Sequence, residues 1–205
     1  MMAFTLHCWR NLLASLRRGL FGLMLLWGVV AMLPVPAHAA GSVEFRYAEL
    51  VASDQDYVIN AAINLQNKPR LQEMIEAGVS VPFRAEVIIT RPRWYWFNET
   101  ISERSLDLKL SYHALTRQYR VSVGNLHRNF TSYDEAMRAL LSLHNWAVAD
   151  RSRLNEGESY QVGLRFRLDI NSLAKPFQVA ALGSHDLDLN TGWVTWVLQV
   201  PKDAR

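Results

Sequence analysis

Phe83-Arg84-Ala85-Glu86-Val87-Ile88-Ile89-Thr90 runs without a break into Arg91-Pro92-Arg93-Trp94-Tyr95-Trp96-Phe97. In the first segment apolar side chains hold the odd positions, with Arg84 and Glu86 between them. That two-residue period marks a strand with one face in a core and the other in water. Pro92 has no N–H to give to a ladder, so the strand bulges there or runs along an edge. Beyond it both parities are aromatic, Trp94 and Trp96 on one side and Tyr95 and Phe97 on the other. A register change at Pro92 accounts for this, as does a strand end covered on both faces.

The same period recurs on either side. Val43, Phe45 and Tyr47 alternate with polar residues, and Tyr57, Ile59, Ala61, Ile63 and Leu65 form a second strand. Downstream, Leu106, Leu108, Leu110 and Tyr112 are followed by Tyr119, Val121 and Val123. Three successive strands with short connections predict an antiparallel meander with one wet face. Tyr160, Val162, Leu164, Phe166 and Leu168 are the cleanest alternation in the chain. Leu187 and Leu189 alternate with aspartates, and residues 193–200 make a last strand. That strand is apolar on both faces and is therefore expected to be central or covered twice.

Two helices interrupt this pattern. Pro69 stands at a permitted first-turn position, Leu71, Met74 and Ile75 share a face, and Gly78 ends the segment. Ser132 with Glu135 three residues on is a capping box. The helix it opens is expected over about residues 133–149, with Met137, Leu140, Leu141, His144 and Val148 along one face. Residues 171–184, with Pro176, read as irregular. A faint internal echo links Gly-Val-Ser-Val-Pro-Phe-Arg-Ala-Glu-Val from Gly78 with Gly-Glu-Ser-Tyr-Gln-Val-Gly-Leu-Arg-Phe from Gly157. The expected class is α+β: an antiparallel sheet of about seven or eight strands packed with two helices. A β-sandwich with helical insertions is the alternative.

The N-terminus has a different composition. Arg10, Arg17 and Arg18 precede an apolar run over residues 19–33, and Pro34-Val35-Pro36 leads to the small-x-small triplet Ala37-His38-Ala39. This is the layout of a secretory signal peptide, with cleavage after Ala39. The run is short of the 20 or so residues that span a bilayer; an uncleaved anchor is the alternative. Arg17-Arg18 faintly resembles a twin-arginine signal. The expected organisation is thus a signal peptide over 1–39 and one mature domain over 40–205, periplasmic or secreted.

Removing the leader changes the charge argument. The whole chain holds 22 basic and 19 acidic residues, and the leader takes three of the basic ones, leaving the two signs equal. Net charge therefore gives no support to a nucleic-acid partner or an acidic membrane. The lone cysteine, Cys8, lies in the leader, which removes disulfides, thiolate catalysis and cysteine–zinc sites from the mature chain.

Motifs for chemistry are sparse. His113, His127, His144 and His185 form no metal-ligand spacing. Asp186-Leu187-Asp188-Leu189-Asn190-Thr191-Gly192 starts like a calcium loop, but its glycine comes one place late and Val197 stands where the bidentate glutamate belongs. There is no nucleophile elbow and no phosphate loop. No cofactor, metal site or catalytic residue is expected. The residues singled out are Arg91, Arg93, Trp94, Tyr95 and Trp96, a candidate binding surface rich in the types that anchor interfaces. The plainer reading has the aromatics filling a core corner with the arginines stacked on their edges.

Thr90-Arg91-Pro92-Arg93-Trp94-Tyr95-Trp96, the stretch from Leu110 to Val121 (Leu-Ser-Tyr-His-Ala-Leu-Thr-Arg-Gln-Tyr-Arg-Val) and Ala181-Leu182-Gly183-Ser184 carry a resemblance. Together they resemble a family of exported proteobacterial proteins known only as a domain of unknown function, over nearly the whole mature chain. The resemblance implies a signal-peptide-bearing protein, often encoded beside a two-component sensor kinase, and hence a role in envelope signalling. It brings no catalytic residues. The chain departs from the pattern at Leu173-Ala174, where Leu-Pro is expected before Lys175. The functional expectation is a non-enzymatic periplasmic interaction or sensing module of the cell envelope, with an envelope or sensor protein as partner. The alternatives are an envelope enzyme acting on glycan or lipid through an unrecognised acid/base pair, and a membrane-anchored structural protein if the leader is retained.

Overall fold

The computed structural model describes residues 43–66, 68–95, 97–182 and 187–202. The expected leader, Trp96 of the aromatic run, His185 and Asp186 lie outside the described residues. The architecture is α+β, almost wholly antiparallel, with the strands shared between two sheets instead of one meander. Strands β1 (Val43–Ala52), β2 (Asp56–Leu65) and β7 (Ser142–Asp150) form the smaller sheet in the order β1-β2-β7. The larger joins β3 (Val81–Arg91), β4 (Glu99–His113), β5 (Gln118–Val123), β6 (Leu126–Phe130), β8 (Ser159–Leu168) and β9 (Val194–Gln199) in the order β6-β5-β4-β3-β8-β9. The expected three-strand meander is there as β3 to β5, and β6 extends it by one strand.

Alternation decides which side chains meet. Val81, Phe83, Ala85, Val87 and Ile89 of β3 and Tyr160, Val162, Leu164, Phe166 and Leu168 of β8 all point into one core, with Phe83 and Phe166 stacked at 5.5 Å. Ile59, Ala61 and Ile63 of β2 belong to the same cluster. The buried Ser102 hydroxyl on β4 donates to the Val148 carbonyl on β7 at 2.5 Å, tying the sheets together. Helix α1 (Pro69–Glu76) covers part of this core with Leu71 and Ile75, and α2 (Tyr133–Leu140) with Ala136, Met137 and Leu140. Ser132 caps α2 as expected, accepting the Glu135 N–H at 3.2 Å. Gly78, at φ +88°, ends α1 in the left-handed conformation. The two stretches that echo each other pair side by side as β3 and β8.

Five local expectations are corrected, and one strand is added that the sequence did not suggest. The helix from Tyr133 stops at Leu140, and residues 142–150 form β7. That strand carries a bulge: Ile59 pairs with Trp146 but Ala61 with Leu143, and Asn145 sits at φ +50° with its N–H donated to Asn60 Oδ1 at 3.0 Å. The bulge flips the inward parity between Leu143 and Val148, so the apolar spacing imitates a helix. Residues 126–130 form β6, an exposed edge strand without a burial pattern to betray it. Residues 175–182 form a third helix, α3 (Lys175–Leu182), with Pro176 in its first turn. Another bulge, between Phe45 and Tyr47, turns Tyr47 out to solvent. Leu187 and Leu189 are buried, yet among the described residues that segment adds to the sheet the isolated bridge Asn190–Arg167 and no strand. The last strand, β9, is an edge and not central.

Candidate contact loop and its charged base

The register break expected at Pro92 does not occur there. The shift in the β3–β4 ladder falls between Ile89 and Thr90, Arg91 then pairs with Glu99, and residues 92–98 form the loop joining the two strands. Trp94, Tyr95 and Phe97 are therefore not strand residues with two faces to cover. Trp94 is 95 % exposed, Phe97 85 % and Tyr95 65 %. Trp94 and Tyr95 meet edge to face at 5.1 Å, so they do not offer one flat platform. The core-corner reading of these three side chains is overturned.

The two arginines turn the other way. Arg91 Nε donates to Glu99 Oε2 at 2.9 Å, a second guanidinium nitrogen of Arg91 reaches the same oxygen, and Arg93 Nη2 donates to it at 2.5 Å. Arg91 Nη1 also donates to Glu158 Oε2 at 3.0 Å. Tyr160 continues the chain: its hydroxyl donates to Glu158 Oε2 at 2.8 Å and accepts the Asn155 N–H at 2.8 Å. Because the Tyr160 ring is fully buried, this network joins the loop to the core.

Two guanidinium groups thus meet two carboxylates, and the loop base carries no net charge. Hydrogen bonds from Arg91, then Arg93, hold the Glu99 carboxyl below its usual range. Tyr160 first and Arg91 second do the same for Glu158. Both stay ionised at neutral pH, so neither is a proton donor, and a general acid needs the opposite shift. Burial, more than any neighbour, pushes the Tyr160 phenol up. The site residues expected from sequence therefore divide. Arg91 and Arg93 brace the loop, while Trp94 and Tyr95 project from it with Phe97.

A family model described as Domain of unknown function (DUF4390) matches residues 40–197. The chain belongs to the DUF4390 family. No curated protein and no solved structure matches it. The family match spans the whole loop and its base, but assigns no residue a role.

Sequence reasoning missed Glu99, Glu158, Tyr160 and Asn155 as members of this DUF4390 site. Glu99 could have been found as the first polar residue beyond the loop, opposite Arg91 in a hairpin. The reach to Glu158 follows only from β8 lying beside β3. Elsewhere on the outer face, Glu86 accepts from Arg165 at 2.8 Å and from Arg167 at 3.1 Å. Arg84 pairs with Asp107 at 2.7 Å and Asp169 at 3.4 Å. Among the described residues no group of three or more histidines, aspartates or glutamates is arranged to hold a metal.

Proposed function

We propose that this DUF4390 protein is an exported, non-enzymatic interaction or sensing module of the cell envelope. It acts in the periplasm and docks an envelope protein through the aromatic loop. The observation that carries the reading is the exposure of Trp94, Tyr95 and Phe97 on a loop whose charges are already satisfied from within. Large aromatic side chains left in water on a braced support gain most from burial against a partner, and they are the residues that dominate interface energetics.

The leader-like N-terminus supports export, and the family resemblance of the sequence makes a sensor protein the first partner to consider. The depressed Glu99 and Glu158 carboxyls tell against a carboxyl general acid at this loop. The pairing registers also place the loop at the β1–β2 turn end of the smaller sheet, while β1 begins at the other end. A loop that far from Val43 is suited to a partner held away from the N-terminal side.

The test is affinity capture from the envelope with the native chain and with Trp94→Ala/Phe97→Ala. The native chain recovers a discrete partner from the periplasmic side, and the variant loses it at unchanged thermal stability. Recovery of the same partner by both proteins would show that the loop is not the contact surface.

A further inference from the structure

Four strands close the two sheets, and an open edge invites another strand unless something blocks it. β1 carries Glu44, Arg46 and Glu49, all exposed, with a bulge between Phe45 and Tyr47. β7 is bulged at Asn145. β6 is short and exposes His127, Arg128 and Asn129. β9, Val-Thr-Trp-Val-Leu-Gln, has none of these devices: no charge, no proline and a continuous register along β8. It leaves Val197 66 % and Val194 39 % exposed, with Trp196 and Leu198 only partly buried.

The ladder shows which groups remain open. The Val200 N–H donates to the Glu158 carbonyl at 3.1 Å, and the β8–β9 register continues unbroken from there back to Val194. In an antiparallel ladder, hydrogen-bonded pairs alternate with pairs whose backbone groups face away. The N–H and C=O groups of Val194, Trp196 and Leu198 therefore face β8. Those of Thr195, Val197 and Gln199 face an edge that no other strand among the described residues pairs with.

We propose that β9 is a dimerisation edge, on which a second copy of this chain adds its own β9 antiparallel, with the two-fold axis at Val197. Val197 then lies opposite its own counterpart and Thr195 opposite Gln199 of the second copy. About six backbone hydrogen bonds close the seam. A two-fold contact sets the residue on its axis against its own copy, so a charge there meets a like charge, and Val197 on this axis carries none. With no charged residue along its length, β9 meets no such repulsion in any register. Its outer face next to the seam is uncharged too, since Val197 and Thr195 lie beside Gln161 and Gly163. Trp193 packs over Gly163 and stacks on the Arg165 guanidinium at 4.7 Å. A single strand seam is small, which predicts a dimer in the micromolar range. This surface is separate from the aromatic loop, and the proposal does not depend on the loop's function.

The test is sedimentation of the full chain over roughly 1–200 µM, where a homodimer must dissociate on dilution. The native chain shows a concentration-dependent dimer; Val197→Lys weakens it at least tenfold with its melting temperature unchanged. A second measurement reads the register without relying on that variant. In a Cys8→Ser background, Val197→Cys places two thiols where paired backbones lie about 5.5 Å apart, within reach of a disulfide. Val197→Cys therefore yields a covalent dimer on mild oxidation, and Asn129→Cys on β6 does not. A native chain that stays monomeric at the highest concentration overturns the proposal, even if β9 accepts a strand from another protein. Equal cross-linking at positions 129 and 197 overturns it as well.

Discussion

Arg91 and Glu158 stand 67 positions apart in sequence and meet at 3.0 Å, linking the root of the aromatic loop to the start of β8. The ion pair matters less as a source of stability than as a brace, since both side chains are partly in water and such pairs contribute little to folding. Replacing Glu158 with Gln should leave the melting temperature almost unchanged. It should, however, raise amide exchange across residues 92–98 relative to β3 and β4. Hydrogen exchange with mass detection reads this directly. Unchanged loop exchange would mean that Glu158 does not hold the loop.

Acid should destabilise the protein mainly through Glu86, the most enclosed of its paired carboxylates, with the more exposed Glu99 and Glu158 adding little. Glu86 is held low first by Arg167, Glu99 by Arg91, and Glu158 by Tyr160. Each has a folded value below its unfolded one, so the unfolded chain takes up protons first as pH falls. The stability they provide is fully present above the unfolded carboxyl value, about 4.3, and is lost as pH drops through the lower folded values. Urea midpoints should be flat between about pH 7 and 5 and fall below about pH 4. Glu86→Gln should flatten that acid limb. A steep loss already above pH 5 would contradict the assignment.

Core and loop aromatics should separate cleanly. Phe166, buried and stacked on Phe83, should cost about 3–5 kcal/mol when changed to Ala. Trp94→Ala should fall within about 0.5 kcal/mol of the native protein, as surface changes do. Denaturant unfolding of the two variants checks both figures. A Trp94→Ala loss as large as that of Phe166→Ala would restore the core-corner reading.

Most of the strands were legible because one buried face imposes a two-residue period, and β2, β3, β8 and the second half of β4 obey it without interruption. Legibility failed where a bulge broke the period. Asn145 flips the parity of β7 and lets Leu140, Leu141, His144 and Val148 pass for a helical stripe. β9 misled for another reason: apolar residues on both faces suggested a central strand, whereas here they mark an unguarded edge. At the candidate site the aromatic run was visible, but its exposure was not, since it depends on β3 ending at Arg91. The base was least visible of all. Glu158 finds Arg91 only because β3 and β8 are neighbours, a fact of topology that no local pattern encodes.

Asn145 itself provides a check on β7. Its positive φ suits Asn or Gly, and a left-handed conformation costs a β-branched residue about 1–2 kcal/mol. Asn145→Val should therefore destabilise by about that amount in urea titration, and Asn145→Gly by far less. If Asn145→Val were tolerated as well as Asn145→Gly, residues 142–150 would not be bulged as described.

The central claim is that the loop of residues 92–98 is where another envelope protein docks. The most direct measurement places a photoreactive phenylalanine analogue at Tyr95 in living cells, with the same analogue at Leu115 as control. Leu115 is fully exposed in the β4–β5 turn, at the other end of β4. Docking through the loop predicts one discrete protein adduct on illumination at position 95 and none at position 115. Absence of an adduct at 95, or the same products from both positions, would contradict it.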